Sequence, residues 1–422
     1  MTTIPGSSLI ASNNFGFEFI LGSPAGTSDT VTYASATSAV GVSLSIAGPQ
    51  NTGGSGTDVL LSIENIIGSG FNDTLQGDRR DNILDGSSGN DTASYANAAG
   101  GVSLSLSIAG PQNTGSEGVD TLHNIENLIG SNFNDKLTGS DGIQNVLFGG
   151  NGNDTLLGTT GNDTLNGGDD VDTANYSALE GVVSLGAFGV LSKGTLGTDS
   201  LIGVETIVGS SLLGDTVNHS GATDPATGTI TNLTTGLVTV NGTIAPLPLS
   251  FTVSQFENVI GSGNADSITG NIANNILSGG AGNDTIVSGA GVDTLNGGTG
   301  KDQLTASGGN DTYVYTSLSD SLLAGYDVIT NYTSGDVLAR PGTGTRLNSS
   351  SGFCLSLTAA QIGRVLNKFS FAPNSSSAFT TSGFTGTFIA FNDQVAGFNE
   401  LSDSVIYLPT YTISASNPVA IA

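Results

Sequence analysis

Three aspartates recur at an interval of nine residues in the stretch GGAGNDTIVSGAGVDTLNGGTGKDQLT, which runs from Gly279 to Thr305. They are Asp284, Asp293 and Asp302, and an Ile or Leu follows each of them by two places. Carboxylate oxygens and the carbonyl oxygens of Gly-rich turns are the ligands that calcium takes in proteins, about six to eight per ion. The interval therefore predicts a repeated calcium site.

Other metals fit this composition less well. Magnesium prefers a stricter octahedron with retained waters, and zinc prefers Cys or His ligands. The chain has one Cys and two His, so calcium is the metal that the sequence predicts. The alternative is that Gly-Asn-Asp simply forms good turns. Turn propensity gives no reason for an interval of nine that holds from Asp266 through Asn275 to Asp311.

The repeat can be written Gly-Gly-x-Gly-x-Asp-x-U-x, where U is a large aliphatic residue. The first six residues suit a tight turn, because glycine accepts a positive φ, and the last three suit a short strand in which only U faces inward. Two nonapeptides then form one coil of a flattened solenoid, and the sequence predicts an all-β chain. The U side chains predicted to stack in an inward ladder are Leu156, Leu165, Ile286, Leu295 and Leu304.

Such a repeat should not fold without a cation. Burying one Leu or Ile contributes roughly 1.5–3 kcal/mol, whereas ordering each residue of the backbone costs about 1–2 kcal/mol. Stacked carboxylates would also repel one another. A bound dication offsets both terms, and this predicts that folding depends on calcium.

Longer repeats accompany the nonapeptides. Residues 29–90 and 91–153 are a tandem duplication, in which Tyr33 and Tyr95, for example, lie 62 positions apart. A third copy begins at Asp172 and then diverges. The predicted segments are an N-terminal extension or cap at 1–28, repeat units at 29–90, 91–171 and 172–255, a nonapeptide β-roll at 256–315 and a C-terminal domain at 316–422.

Composition restricts the partners. Thirty-six acidic residues face nine basic residues, for a formal net charge of −27, so we expect no nucleic-acid partner. The start MTTIPGSSLI has no basic region before an apolar run, and no segment has eighteen consecutive apolar residues. We therefore expect neither a cleaved signal peptide nor a transmembrane segment.

The nonapeptides resemble the repeats-in-toxin (RTX, hemolysin-type) family of calcium-binding proteins, with GGNGNDTLL at Gly149 and GGAGNDTIV at Gly279 among the best matches. The resemblance implies a right-handed parallel β-roll with calcium between turns, and type I secretion without an N-terminal signal. It also implies that the Asp of each repeat supplies a carboxylate and that the second and third Gly supply carbonyls. The implied ligands are Gly150, Gly152, Asp154, Gly161, Asp163, Gly168, Asp172, Asp91, Asp73, Asp135, Asp266, Gly280, Gly282, Asp284, Gly289, Gly291, Asp293, Gly298, Gly300, Asp302, Gly309 and Asp311.

Some repeats depart from the pattern. Asn82 and Asn275 replace Asp, which predicts weak or absent calcium binding and a ladder of side-chain amides instead. Phe71 and Phe133 stand where the third Gly belongs, so calcium at the neighbouring aspartates is a weaker expectation. The 62-residue units resemble linker turns of long bacterial surface proteins, and the tail GTFIAFNDQVAGF is similar to the C-terminal segment of many cyanobacterial surface proteins.

The sequence contains no catalytic constellation that we can identify. His123 and His219 are the only histidines, and we expect both to be surface residues. The C-terminal domain should be mixed and β-rich, with its one helix over Ser356–Phe369. No H-E-x-x-H or G-x-S-x-G motif is present. We therefore predict a non-enzymatic, calcium-binding structural protein of the bacterial surface.

Its ends suggest how it would assemble. An uncapped solenoid end offers an open strand edge, so we expect a homo-oligomer or polymer that stacks head to tail into a filament, sheath or surface layer. One alternative is an adhesin that uses Phe379, Phe384 and Phe388 to contact a cell-surface glycan. Another is the secretion and stability part of an RTX enzyme.

Overall fold

The structure is a computed structural model of the chain. It describes residues 8–11, 17–23, 28–186, 189–222, 228–240, 250–340, 346–347, 352–354, 375–393, 398–400, 402–413 and 418–421. Within these ranges the regular elements are β-strands and three short 3-10 helices. The helix expected over Ser356–Phe369 lies outside the described residues.

The chain divides into two compact units. Unit 1 comprises Met1–Val183, Gly189–Ser211 and Pro246–Pro248, and unit 2 comprises the remaining residues. The division falls within the third predicted repeat unit, 172–255. The finer boundaries drawn from the sequence stay predictions.

Unit 1 is built from short strands, most of them three residues long, and one 3-10 helix at Gly194–Leu196. Its strands are Ser8–Ile10, Phe17–Leu21, Thr30–Thr32, Gly41–Ser43, Gln50–Gly53, Gly56–Leu61, Asn65–Ile67, Thr74–Gln76, Ile83–Asp85, Thr92–Ser94, Ser103–Ser105, Gln112–Gly115, Gly118–His123, Asn127–Ile129, Lys136–Thr138, Val146–Asn151, Thr155–Leu157, Thr164–Asp169, Thr173–Asn175, Val190–Ser192, Thr198–Ile202 and Thr206–Val208.

The strands of unit 1 pair mainly in parallel, with one coil between partners. Leu147 lies opposite Leu165, a separation of 165 − 147 = 18 residues, and both side chains are fully buried. Three hairpins interrupt this rhythm, of which Gln112–Gly115 with Gly118–His123 is an example. A coil that contains a hairpin is longer, as the pairing of Thr92 with Asn127 shows.

The tandem copies alternate between sheets. Thr30–Thr32 belongs to the sheet that contains Ile83–Asp85, whereas its counterpart Thr92–Ser94 in the second copy pairs with Thr74–Gln76 in a different sheet. An odd number of half-coils therefore fits into one 62-residue repeat, and equivalent residues face opposite sides of the roll.

Unit 2 contains the regular nonapeptides and two 3-10 helices, Leu318–Ser321 and Leu323–Gly325. Its strands are Ser184–Gly186, Thr216–Asn218, Thr229–Asn232, Leu237–Val240, Ser250–Ser254, Asn258–Ile260, Ser267–Thr269, Ile276–Ala281, Thr285–Val287, Thr294–Thr299, Gln303–Thr305, Thr312–Val314, Asp327–Thr330, Val337–Ala339, Arg346–Leu347, Gly352–Cys354, Ser376–Thr381, Thr387–Phe391, Ser404–Leu408 and Val419–Ile421.

The predicted aliphatic ladder is present. Ile286 pairs with Leu304 in one sheet, and Leu295 pairs with Leu277 in the other, so each nonapeptide spans half a coil. All of these side chains are buried, as are Leu156 and Leu165 in unit 1. In the part of the chain that the structure describes, the fold is therefore an all-β parallel β-roll, as the sequence predicts.

The roll continues past the nonapeptides. Asp327–Thr330 pairs in parallel with Gln303–Thr305, and Val337–Ala339 pairs in parallel with Thr312–Val314. Antiparallel strands follow, with Thr387–Phe391 as the central one. The C-terminal part is thus mixed and β-rich.

Candidate metal centres

The turn aspartates form ladders along the roll. The backbone N–H of Asp154 donates to Oδ1 of Asp172 at 2.8 Å, and the N–H of Asp284 donates to Oδ1 of Asp302 at 2.8 Å. Each carboxylate therefore accepts the N–H of the aspartate one coil earlier. This bond uses one oxygen of each carboxylate and leaves the other, Oδ2, to be satisfied by another group.

The turns that precede these aspartates are of two kinds, which differ in the backbone conformation just before the aspartate. We call a turn open when the residue two places before the aspartate has a positive φ, as Gly282 does at 122° and Gly300 at 144°. Asp170 takes the same conformation at 82° although it is not glycine. At the nine-residue interval the aspartates of open turns are Asp91, Asp154, Asp163, Asp172, Asp284, Asp293, Asp302 and Asp311. The hairpin turns before Asp58, Asp120 and Asp199 take the same conformation, at Gly56, Gly118 and Gly197.

In most open turns Oδ2 is buried without a partner. A Cβ added to Gly279 would lie 2.1 Å from Oδ2 of Asp284 and 2.6 Å from the carbonyl oxygen of Gly297 in the next coil. A carboxylate oxygen and a carbonyl oxygen thus meet beside the first glycine of the repeat, where no side chain fits. The open-turn aspartates whose Oδ2 has no hydrogen-bond partner are Asp91, Asp154, Asp172, Asp284, Asp293 and Asp302. Oδ2 of Asp327, which lies outside the open turns, is also buried without a partner.

Burial makes several of these carboxylates costly to ionise. Burial first, and neighbouring aspartates in the ladder second, raise the pKa of Asp154 and of Asp284 to about 7. Burial likewise raises the pKa of Asp172 and Asp302 to about 6. A buried carboxylate whose second oxygen has no donor or counter-ion is destabilised in its charged form, so a cation beside Oδ2 would favour ionisation of the open turns at neutral pH.

The oxygen-only surroundings of the open turns fit calcium. The unpartnered Oδ2 atoms, together with glycine carbonyls from the adjacent coil, are hard donors at a site without nitrogen or sulfur. Among the described residues, no group of three or more His, Cys, Asp or Glu side chains is placed to hold a metal. A calcium ion here would therefore be held by one or two aspartates and by backbone carbonyls.

Closed turns satisfy their own carboxylates. Ser262, four places before Asp266, donates its N–H to Oδ2 at 2.6 Å and directs its hydroxyl at the same carboxylate. Ser69 and Ser131 make the same pair of bonds to Asp73 and Asp135. These three aspartates were predicted as calcium ligands, and the structure gives both of their oxygens protein donors instead.

Three further turns have asparagine in place of the aspartate. The side-chain nitrogen of Asn275 donates to the carbonyl of Glu257 at 2.6 Å, and that of Asn82 donates to the carbonyl of Glu64 at 2.8 Å. Asn145 makes the equivalent bond. The expected ladder of amides is therefore wrong in detail: each amide bonds to a backbone carbonyl of the neighbouring coil.

The predicted glycines adopt the conformation that only glycine takes easily. All eleven have a positive φ: Gly150, Gly152, Gly161, Gly168, Gly280, Gly282, Gly289, Gly291, Gly298, Gly300 and Gly309. Their carbonyls pack on the next coil, since a Cβ on Gly298 would lie 1.8 Å from the oxygen of Gly280. Their role as calcium ligands stays a prediction.

Four ladder aspartates were missed by the nine-residue interval. Asp120, Asp199, Asp327 and Asp336 accept N–H bonds from the turns one coil earlier, for example Asp302 N–H to Asp327 Oδ1 at 2.8 Å. Inserted hairpins and longer loops displace them from the interval. A buried aliphatic residue two places after each Asp was the signal that could have found them.

Two expectations about side chains outside the turns need correction. His219 is buried and its Nε2 lies 3.0 Å from the Thr231 hydroxyl, so it is not a surface residue; burial lowers its pKa to about 4. His123 is exposed as expected. Of the tail aromatics, Phe379 and Phe388 are fully buried and stack on each other. The burial of these two favours a role in the core over contact with a glycan, whereas Phe384, the third residue of that alternative, is 41% exposed.

Comparison with known proteins agrees with this geometry. The profile of the RTX calcium-binding nonapeptide repeat matches residues 65–94, 145–177, 260–295 and 287–322. The chain carries RTX nonapeptide repeats, which are a calcium-binding motif, and this supports calcium as the metal. No curated protein matches the chain significantly.

Two solved structures are similar in part. The AlgE6R2 subunit of the Azotobacter vinelandii mannuronan C5-epimerase is 21% identical, covers 36% of this chain and 84% of its own, and has a TM-score of 0.25. The extracellular lipase LipA from Serratia marcescens is 16% identical over 69% of this chain, with a TM-score of 0.20. The chain spans 42% of the length of that lipase.

The part of the chain that the structure describes was compared with the requirements for a membrane-spanning helix. No helix there has the length and apolar character that crossing a bilayer requires.

Proposed function

We propose that this chain is a non-catalytic structural protein of the bacterial exterior that folds on calcium after secretion. The observation that carries the proposal is the set of buried Oδ2 atoms without partners in the open turns. These atoms are repeated along the roll and have no protein donor, so a cation is part of the folded state. A ligand that binds only the folded state stabilises it.

Calcium also supplies the switch between export and folding. The formal charge of −27 opposes compaction when calcium is scarce. Extracellular calcium sites fill at about 10⁻⁴ to 10⁻³ M, and metal binding then contributes to folding. The chain would thus remain unfolded inside the cell and fold outside it.

A calcium titration tests this proposal. Circular dichroism of the full chain should show strand signal that rises cooperatively with free calcium, whereas magnesium at equal ionic strength should have little effect. Native mass spectrometry should find several calcium ions per chain. Strand signal that stays unchanged in excess chelator, on a chain without bound metal, would contradict the proposal.

We further propose self-association through the N-terminal edge of unit 1. Within the described residues, Ser8–Ile10 pairs only with Thr30–Thr32, and Phe17–Leu21 pairs only with Gly56–Leu61. Ile10 is 74% exposed and Phe17 is 61% exposed. Edge strands with apolar, exposed side chains favour pairing with another chain.

Light scattering in millimolar calcium tests the assembly. Wild-type protein should grow in mass with concentration, and the variant with Phe17→Lys and Phe19→Lys should remain smaller. Ile272→Lys is the matched control, because Ile272 is 88% exposed in a turn of unit 2. Wild-type protein that stays monomeric at all concentrations would rule out the assembly and leave the calcium proposal standing.

A further inference from the structure

A lysine is buried between two coils of unit 1. Lys193 follows strand Val190–Ser192, and its side chain has no exposed surface. Its Nζ contacts three oxygens: the carbonyl of Thr159, Oδ2 of Asp163 at 3.3 Å and Oδ1 of Asp199. An ammonium group has three N–H donors, so each donor has one acceptor.

This ammonium lies where the other open turns need a cation. Asp163 belongs to an open turn, because Gly161 has a φ of 120°. In six other open turns the equivalent Oδ2 is buried without a partner. At Asp163 the same oxygen is paired with a positive charge that the chain itself provides.

The second repeat unit contains the same arrangement without the aspartate–lysine ion pair. The hydroxyl of Tyr95 donates to Asp120 at 2.8 Å, just as that of Tyr176 donates to Asp199 at 2.8 Å. Asp120 accepts the N–H of Asn82 at 2.9 Å, and Asp199 accepts the N–H of Asp163 at 2.9 Å. The two sites therefore differ in having Asn82 in one and Asp163 in the other.

The counterpart of Lys193 is also neutral in that unit. Gln112 lies opposite Asp120 in its hairpin, and Leu191 lies opposite Asp199. Two places further on, the residues are Thr114 and Lys193. The neutral combination of Asn82 with Thr114 is thus replaced, at the later site, by the charged combination of aspartate with lysine.

We propose that the ammonium of Lys193 is a resident cation that takes the place of calcium in the Asp163 turn. This inference rests on the proposed calcium binding by the other open turns. It revises the sequence prediction for Asp163 and Gly161, which were assigned to calcium. One coil junction of unit 1 would then remain neutralised when calcium is absent.

Removal of the ammonium tests the proposal in the full-length chain. Lys193→Thr leaves two buried carboxylates and a carbonyl facing one another, and this variant should bind about one more calcium ion than wild type in native mass spectrometry. The double variant Asp163→Asn with Lys193→Thr reproduces the Asn82 and Thr114 combination of the second repeat unit, which leaves one carboxylate, and should return to the wild-type number. Lys136→Thr, at an exposed strand position, is the control and should also match wild type.

Hydrogen exchange of strand Thr198–Ile202 gives an independent readout. At subsaturating calcium, Lys193→Thr should speed exchange there by roughly 100-fold or more, because removing one partner of a buried ion pair leaves an uncompensated charge. The double variant should restore slow exchange.

Several outcomes would overturn the inference. A folded Lys193→Thr chain with the wild-type calcium number and wild-type exchange would do so. If Lys193→Thr does not fold, the double variant must fold; its failure also overturns the inference. Wild-type protein without bound calcium contradicts the proposed function, and the exchange comparison between the two variants then decides the role of Lys193 alone.

Discussion

The open turn at Asp284 and the closed turn at Asp135 both contain an aspartate, but its second carboxylate oxygen has a different environment in each. Both aspartates accept a backbone N–H through Oδ1, and both lie at the same place in a half-coil. In the closed turn the backbone N–H of Ser131 donates to the second oxygen, whereas in the open turn that oxygen is buried without a partner. The comparison teaches that an aspartate in the repeat does not by itself define a calcium site.

The difference comes from the residue two places before the aspartate. In the open turn this is Gly282, whose added Cβ would lie 2.4 Å from the backbone carbon of Asn264. Phe133 occupies the equivalent place before Asp135, and its side chain would have no room in that conformation. The chain then takes the alternative turn, in which an N–H reaches the carboxylate.

The largest effect should come from forcing a side chain into an open turn. Gly300 has a φ of 144°, and its Cβ would lie 1.6 Å from the oxygen of Gly282. Gly300→Ala should cost about 3 kcal/mol or more in saturating calcium, as measured by denaturant unfolding. Gly263→Ala is the control: it lies in a closed turn with no atom within 4 Å of its Cβ, and it should change stability by only about 0.5 kcal/mol. Equal losses in the two variants would refute the distinction between the turns.

Neutralising the carboxylate of an open turn should lower the stability of the fold in calcium but not in chelator. Asp284→Asn should lose about one calcium ion and about 1–3 kcal/mol in calcium, yet be at least as stable as wild type in chelator, because an unpaired buried charge is gone. Asp266→Asn replaces one of the two acceptor oxygens, which receive bonds from Ser262 and Thr229, by an NH₂ donor. It should lose about 1–3 kcal/mol in both conditions and keep the wild-type calcium number.

The pH dependence should also separate the two conditions. Burial raises the pKa of Asp154 and Asp284 to about 7, above the unfolded value of about 3.9. Between these values the folded chain binds more protons than the unfolded chain, so stability in chelator should fall as pH rises from about 4 to about 7. In calcium the sign should reverse, because protons compete with the metal. Circular dichroism in chelator should show more strand signal at about pH 4 than at about pH 7, and urea unfolding at several pH values measures the slope in calcium. A strand signal in chelator that rises with pH would contradict this account.

The smallest effect should come from relieving backbone strain beside Asp91. Ser87 has a φ of 74° and is exposed, a conformation that costs a residue other than glycine about 1–2 kcal/mol. Ser87→Gly should therefore stabilise unit 1 by about 0.5–1 kcal/mol after the entropy of the unfolded chain is included. Ser88→Gly, without a positive φ, should destabilise by a similar amount. The thermal midpoints of the two variants should move in opposite directions.

Much of the fold followed from local pattern. The interval of nine placed Ile286, Leu295 and Leu304 in a buried ladder, and the glycines took positive φ as expected. The tandem copies were also evident, but their alternation between sheets was not, because it depends on how many half-coils each repeat contains.

The site was predicted less completely. Asp73, Asp135 and Asp266 match the interval, and the sequence included them among the calcium ligands, although Ser69, Ser131 and Ser262 donate to their carboxylates. The serines are local, but their role depends on which turn the backbone adopts against the previous coil. Asp327 and Asp336 were missed because longer connections precede them.

By itself the sequence determined the repeat length, the inward ladder, the calcium chemistry and the places where only glycine fits, because each of these depends on residues close together in the chain. The tertiary structure decided which carboxylate oxygens remain without a partner. That outcome depends on donors supplied by other coils, as at Asp163, where Lys193 follows thirty residues later. Only the stacking of the coils brings the ammonium and the carboxylate together.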